Sequence, residues 1–371
     1  MDNALMNLQR IFRVYILPGA VFQSVAVAGA YGTGRETVQY FTHFGPKHGL
    51  YGLLVSTLIM MLVVAATYEF SRCFKAYDYR TFFKQLIGRY WVLFEIIFIV
   101  MFLLILSVIA SAASDMLSSS FGVPKTVGLY VMLACIGFLS FYGRELLGKI
   151  MTFWSLALYA VLFSYFVFVF GQYQPEITQQ LVHGDNQPGW LQAAITYSLY
   201  GSVIVPAILY AVRGFETRSE ALTSAFISAL LCQVPAFLFH ISFLAHFPDI
   251  LQQSVPIYWI INELNVPLLL IFYIVVLFGT FIETGAGFVQ SVNERIDRWR
   301  EDKNKPAVSR WWHAGVAAIG LLSSALLAKI GIITLVAQGY NILAWFFFLI
   351  YLIPLFTVGL YKIWRHSTPS L

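Results

Sequence analysis

Long apolar stretches, separated by short groups of charged residues, glycine and proline, run along almost the whole chain. A helix that crosses a membrane needs about 20 predominantly apolar residues. Windows of this length predict ten spans, near residues 11–43, 48–74, 90–118, 124–143, 145–171, 189–212, 217–246, 265–293, 308–328 and 331–364. The polar stretches between them are too short to form a soluble domain. The pattern therefore predicts an all-α integral membrane protein that works inside the bilayer.

The first span is interrupted by a glycine-rich sequence that is followed at once by a charged pair. Each glycine weakens a helix by roughly 1 kcal/mol relative to alanine. Irregular backbone at membrane depth is tolerated only where protein buries it or where it lines a wet cavity. The break consists of Gly29, Ala30, Tyr31, Gly32, Thr33 and Gly34, and the charged pair is Arg35 and Glu36. We predict that this break is part of a binding site.

The spans divide into two halves of five, residues 1–171 and 189–371, joined by an outer connector at 172–188. An odd number of spans per half means that the second half enters the membrane from the opposite face. Its opening span is also interrupted, at residues 197–202, with Pro206 just beyond. Matched broken spans in inverted halves are typical of secondary transporters with a site near the bilayer midplane. The alternative is that the small residues only let helices pack closely.

Composition and charge distribution support the membrane assignment. The chain is 59% hydrophobic and only 11% charged, whereas a soluble domain carries about 25% charged residues. With a cytoplasmic N-terminus, only four of the 23 lysines and arginines fall on the outer side: Arg35, Lys47, Lys125 and Lys329. This asymmetry follows the positive-inside rule and predicts cytoplasmic termini in the cell (inner or plasma) membrane. The excess of basic residues therefore indicates lipid as a partner rather than nucleic acid.

Several polar side chains at membrane depth are candidates for the solute site and its gate. The interrupted sixth span supplies Tyr197, Tyr200, Gly201 and Ser202, and the third span carries a stripe of Ser107, Ser111 and Asp115. Both groups could face the interior with the first break. Arg35 could pair with Asp115 or with Glu36, either as an outer gate or as a static ion pair between helices.

The eighth span places three oxygen-bearing side chains on one helix face, Thr280, Glu283 and Thr284. A carboxyl group in an apolar span is costly and is a functional hypothesis by default. These groups could complete a Na⁺ site, Glu283 could carry a proton, or it could be the counter-charge of a cationic solute. The remaining alternative is a structural pairing near the cytoplasmic end, and Lys149 could reach towards Glu283.

With these residues identified, the chain resembles the YkvI-like branch of the amino acid–polyamine–organocation transporter superfamily. The resemblance rests on the Gly-Ala-x-x-x-Gly-Arg-Glu pattern from Gly29 to Glu36 and on the hydropathy of residues 11–364. It implies the LeuT-type fold, a five-plus-five inverted repeat with solute between the broken first and sixth helices. It also implies a Na⁺ site formed by the carbonyls of Val25 and Ala28 with Thr280, Glu283 and Thr284. Glu283 stands where many relatives have a neutral residue, which keeps proton coupling open.

The function predicted from these features is ion-coupled secondary transport of a small amino-acid-like or amine solute by alternating access. Either Na⁺ or H⁺ could be the coupling ion, and no other cofactor is expected. A channel or a transporter-like membrane sensor is the alternative. An intramembrane enzyme is disfavoured because the sequence has neither metal-ligand spacing nor a nucleophile–base pair. The sequence does not predict the oligomeric state.

Overall fold

A computed structural model describes residues 9–27, 29–142, 144–301, 303–306 and 308–367 of the 371-residue chain. Only the backbone is described at 24, 27, 29–30, 142, 144–156, 294, 298–299, 310 and 367. The described residues are almost entirely helical.

The first predicted span is a helix with a sharp interruption. A π-helical turn, Phe12–Ile16, leads into α1 (Leu17–Val27), a 3₁₀ turn covers Gly29–Thr33, and α2 (Arg35–Tyr40) resumes. Gly34 ends the turn with a φ of 81°, a left-handed conformation that favours glycine. A Cβ at this position would lie 2.5 Å from Phe243, so the neighbouring helix also requires glycine here.

The other predicted spans form helices whose bounds follow the apolar pattern closely. They are α3 (Pro46–Phe74), α5 (Trp91–Phe121), α6 (Lys125–Tyr142), α7 (Arg144–Gln172), α9 (Trp190–Gly201), α10 (Arg218–Phe243), α12 (Pro267–Glu301), α13 (Arg310–Ala328) and α14 (Ile332–His366). Among the described residues, seven helices are long and apolar enough to cross a membrane. The count is eight if the bent pair formed by α7 and the next helix is one span. The chain is therefore an integral membrane protein, while the total of ten spans stays a prediction.

Short helices lie in the connections. They are α4 (Tyr79–Ile87), α8 (Gln174–His183) and α11 (Pro256–Glu263). Helix α8 falls in the predicted connector at 172–188 and bends by 77° from the end of α7. The division into two repeats joined by this connector stays a prediction.

The second interruption is milder than the first. Helix α9 ends at Gly201, and the chain continues without a gap as a 3₁₀ helix, Ser202–Val212, which contains Pro206. The interruption is therefore a change of helical type, since proline removes a backbone donor and restricts φ.

The helices pack in two groups. Helices α1, α3, α9 and α10 form one group, and α5, α6, α7, α12 and α13 form the other. The 3₁₀ turn at Gly29–Thr33 contacts α5 and α12 of the second group, and α14 packs against α9 and α5. The break in the first helix therefore lies at the junction of the two groups.

Candidate solute site

A small cavity lies where the two interrupted helices meet, and its volume is about 50 Å³. Helices α3, α5, α10, α12 and α14 contribute the rest of its wall. Its lining includes Tyr31, Glu36, Met60, Tyr200, Thr284 and Tyr340. Pockets that enclose drug-sized ligands measure about 300 Å³ or more, so this cavity has to widen before it takes more than a very small group.

Glu36 is the charged residue of this cavity. Its side chain is buried, with 5% exposure, and it faces the cavity from the first turn of α2. Within the described part of the chain, its carboxyl group has neither a hydrogen bond nor an ion pair. Five tyrosine hydroxyls lie within electrostatic range of it, those of Tyr31, Tyr40, Tyr197, Tyr200 and Tyr340. The sequence analysis assigned Glu36 to the gate, and its position in the central cavity differs from that expectation.

Aromatic rings form much of the wall around Glu36. The rings of Tyr200 and Tyr340 stack with centroids 4.1 Å apart. The Tyr31 hydroxyl donates to the carbonyl of Cys232 at 3.3 Å, which holds the break against α10. Tyr197 and Phe288 also line the cavity. The wall around the carboxyl group therefore consists largely of aromatic rings, together with the tyrosine hydroxyls and the Thr284 hydroxyl.

The other residues of the first break are held by hydrogen bonds to their backbone and to the Thr33 hydroxyl. The Gly32 carbonyl accepts a hydrogen bond of 3.1 Å from the buried hydroxyl of Tyr273 on α12. The Thr33 hydroxyl accepts from the Arg35 amide at 3.1 Å, and the Gly34 amide donates to the Tyr31 carbonyl. Gly29 and Ala30 belong to the 3₁₀ turn, and only their backbone is described. Sequence analysis missed Tyr273, although it precedes Thr280 by seven residues and so lies near the same helix face.

Three predicted solute ligands lie elsewhere. The Ser107 hydroxyl donates to Leu103 within its own helix, and that of Ser202 donates to Ser198. Ser111 lines a separate outer pocket together with Asp115. A serine in an apolar helix can donate its hydroxyl to the backbone of the same helix. Serines in these spans therefore do not by themselves indicate a polar solute site. Tyr197 and Gly201, in contrast, line the cavity.

The predicted ion ligands are partly brought together. Val25 and Thr284 line the cavity, and the Thr284 hydroxyl is buried with no partner among the described residues. The Thr280 hydroxyl donates to its own helix at Val276. Glu283 is 6% exposed but is not part of the cavity wall. Ala28 and the side chain of Lys149 lie outside the described residues.

Arg35 lies on the face of the protein that the charge pattern predicts to be outer. It holds this face closed by hydrogen bonds to backbone carbonyls rather than by an ion pair with a carboxylate. Its guanidinium group donates to the carbonyls of Leu251 and Gln253 at 2.8 and 3.0 Å, and to the Gln39 side chain at 3.0 Å. The predicted pairing of Arg35 with Asp115 is wrong, since Asp115 instead pairs with Lys125 at 2.7 Å. Arg35 also makes no ion pair with Glu36 in the described structure. The loop between α10 and α11 is thereby tied over the first break.

The opposite face is closed by ion pairs. Arg10, in the helical turn that opens the first span, pairs with Glu216 at 2.9 Å and with Glu220 at 2.8 Å. Arg72, at the end of α3, pairs with Glu69 and donates to the Glu216 carbonyl. These contacts join the N-terminal segment, α3 and the start of α10. Polar contacts between separate elements therefore lie on both sides of the cavity.

Comparison with solved structures identifies the fold. A Na⁺-coupled sialic acid symporter in a substrate-bound outward-open state is 13% identical, with a TM-score of 0.61 over 92% of this chain and 78% of that one. MhsT in complex with L-phenylalanine is 12% identical, with a TM-score of 0.61 over 95% and 98%. Mhp1, a nucleobase-cation-symport-1 family transporter with bromovinylhydantoin bound, is 14% identical, with a TM-score of 0.53 over 95% and 81%.

These similarities confirm the LeuT fold that the family resemblance implied. The similar structures are transporters rather than enzymes. No protein-family model matches the chain, and no curated protein matches its sequence. The narrower YkvI-like assignment therefore stays a prediction. In the described part of the chain, no group of three or more histidines, cysteines and carboxylates could hold a metal ion.

Proposed function

We propose that the protein is an ion-coupled secondary transporter that moves a small solute by alternating access. The observation that carries this proposal is the central cavity, which lies between the two interrupted helices and has polar contacts above and below it. Breaking one set of contacts while keeping the other would open the cavity to one face at a time. A channel needs a continuous polar path, whereas hydrogen bonds and ion pairs among the described residues close this cavity towards both faces.

The position of Val25 and Thr284 supports Na⁺ as the coupling ion. The buried Thr284 hydroxyl has no partner among the described residues and faces the same space as Val25. Hydroxyl and carbonyl oxygens are suitable ligands for a hard cation. In this proposal the carbonyls of Val25 and Ala28 and the hydroxyls of Thr280 and Thr284 hold Na⁺. Glu283 is the second candidate for coupling, since it could bind and release a proton.

A stability screen followed by transport assays tests the proposal. Thermal unfolding of the purified protein is measured with amino acids, betaine and polyamines, with and without Na⁺, at two pH values. A compound that binds only the folded state raises the unfolding temperature. Stabilising compounds are then offered to proteoliposomes.

Saturable uptake that follows a Na⁺ or proton gradient supports a coupled transporter. Flux that does not saturate indicates a channel instead. Stabilisation without any flux indicates a sensor. If no compound in the panel either stabilises the protein or is taken up, the proposal for amino-acid-like and amine solutes fails.

A further inference from the structure

A groove of about 760 Å³ lies between α4, the start of α5 and the end of α12, on the face that the charge pattern predicts to be cytoplasmic. Helix α4 packs against the protein through the buried side chains of Phe82, Phe83 and Leu86. Arg80 and Lys84, one helical turn apart on α4, line the groove. The groove is separate from the central cavity, so the transport function proposed above does not account for it.

The two basic side chains of α4 gather over one aromatic ring. The guanidinium carbon of Arg80 lies 4.8 Å from the centroid of the Trp91 ring, and the Lys84 ammonium lies 5.3 Å from the same centroid. Like charges four residues apart on a helix repel each other, and the shared ring keeps these two close together. An anion bound by both side chains removes this repulsion. The pair therefore favours an anionic ligand.

Both carboxylates of the groove already have partners. Asp78 caps α4 by accepting a hydrogen bond of 2.9 Å from the Thr81 amide. Glu95 pairs with Arg295 at 3.1 Å and accepts a hydrogen bond of 2.6 Å from the Tyr79 hydroxyl. The lining as a whole carries three basic side chains and two carboxylates, which leaves an excess of one positive charge. The single negative charge of a phosphodiester matches this excess.

An apolar stripe leads from the groove along α5. Val92, Ile96 and Ile99 stand at i, i+4 and i+7 and so share one helix face, and they are 46%, 54% and 41% exposed. Val92 and Ile99 also line the groove. The stripe covers about 10 Å of the helix axis, and tryptophans such as Trp91 are typical of headgroup level. A lipid covers both the basic and the apolar part, whereas a soluble phosphate compound leaves the stripe bare.

We propose that this groove binds an anionic phospholipid of the cytoplasmic leaflet. Its phosphate lies between Arg80 and Lys84, and an acyl chain follows the stripe on α5. Basic pockets between membrane helices on the cytoplasmic side suit anionic headgroups. Helix α4 continues from α3 in one group of helices, while α5 belongs to the other group. The bound headgroup therefore joins the two groups at their cytoplasmic junction.

Lipid binding to the purified protein in detergent tests the proposal. Native mass spectrometry resolves each bound lipid and yields the dissociation constant of the first one. Dioleoylphosphatidylglycerol is compared with dioleoylphosphatidylcholine, which has the same chains and no net charge. Wild type should prefer the anionic lipid by about thirtyfold, the effect of two basic residues near a headgroup. Glycerol 3-phosphate, which has the phosphate but no chains, should not bind in the same concentration range.

Matched variants show whether the groove is responsible. Arg80→Gln combined with Lys84→Gln should bind the two lipids equally. Lys75→Gln combined with Lys305→Gln removes the same charge from exposed positions outside the groove, and it should keep the full preference. Lys84→Gln alone alters an exposed side chain and should reduce the preference about fivefold. Thermal unfolding of each variant shows whether it is folded.

Three results would overturn the proposal. The first is an unchanged preference in folded Lys84→Gln, which decides the matter if the double variant does not fold. The second is an equal loss of preference in the groove variant and in its matched control, because the effect would then come from overall charge. The third is glycerol 3-phosphate binding as tightly as the anionic lipid, which would make the groove a site for soluble phosphates. None of these results depends on solute uptake, so the proposal and the transport function can fail separately.

Discussion

The contact between Arg35 and the outer loop allows a quantitative test of the closed state. Two hydrogen bonds, of 2.8 and 3.0 Å, join the guanidinium group to the Leu251 and Gln253 carbonyls. A hydrogen bond to a charged group is worth about 1.5–3 kcal/mol. The pair therefore stabilises the closed loop by about 3 kcal/mol, which is roughly a hundredfold in the closing equilibrium.

Arg35→Met keeps the length and apolar character of the stem and removes both donors. We expect the loop to open about a hundredfold more often. Amide hydrogen exchange measures this directly, because the Leu251 and Gln253 amides are protected by hydrogen bonds within the loop, to Pro248 and Ile250. Exchange at these two positions should accelerate in the variant, while exchange in the middle of α3 should stay unchanged.

Gln39→Leu is the matched control. The Gln39 side chain accepts the third hydrogen bond of the Arg35 guanidinium group. This hydrogen bond does not involve the loop carbonyls, which Arg35 binds through its other terminal nitrogen. Its replacement should change exchange in the loop far less than Arg35→Met does. The reasoning is refuted if loop exchange in folded Arg35→Met equals that of wild type, or if the two variants accelerate it equally.

Three other variants test the coupling group and the first break. Glu283→Gln should abolish concentrative uptake while leaving the unfolding temperature unchanged, and full uptake by this variant would exclude a coupling role. Gly34→Ala combines a positive φ with a 2.5 Å clash and should lower the unfolding temperature more than Gly122→Ala, whose φ is 65° but whose surroundings are open. Equal decreases in the unfolding temperature of the two variants would show that the structure relieves the clash at Gly34. Tyr273→Phe leaves the Gly32 carbonyl without its partner and should cost about 1–3 kcal/mol. Chemical unfolding in detergent measures this cost, and an unchanged midpoint would contradict it.

The helices could be predicted from the sequence because their signal is local. The span predicted at 48–74 corresponds to helix α3, Pro46–Phe74, and the span predicted at 308–328 corresponds to helix α13, Arg310–Ala328. Apolar composition and flanking charge both fix such ends. Helix α12 runs eight residues beyond its predicted end at 293, because a helix that leaves the membrane continues in polar sequence where hydropathy gives no signal.

The site was only partly predictable because its contacts are distant in sequence. The break from Gly29 to Gly34 carries a local signature, and Tyr197 and Tyr200 could be identified from the second interruption. The partners of Arg35 could not, because they are backbone carbonyls more than 200 residues away and any residue type supplies a carbonyl. Adjacent helical residues point about 100° apart, so the direction of Glu36 depends on how α2 sits against its neighbours.

Accessibility of Cys232 provides a test of alternating access that needs no known solute. Cys232 is buried, lines the central cavity, and is one of three cysteines in the chain with Cys73 and Cys135. With the other two replaced by serine, a membrane-impermeant methanethiosulfonate is added to one side of proteoliposomes at a time.

Alternating access at the central cavity predicts that Cys232 reacts slowly with the reagent from either side of the membrane. It also predicts that Arg35→Met speeds the reaction from the outer side and slows it from the inner side, because opening one face closes the other. Labelling from one side only, or acceleration from both sides together, would contradict alternating access at this cavity.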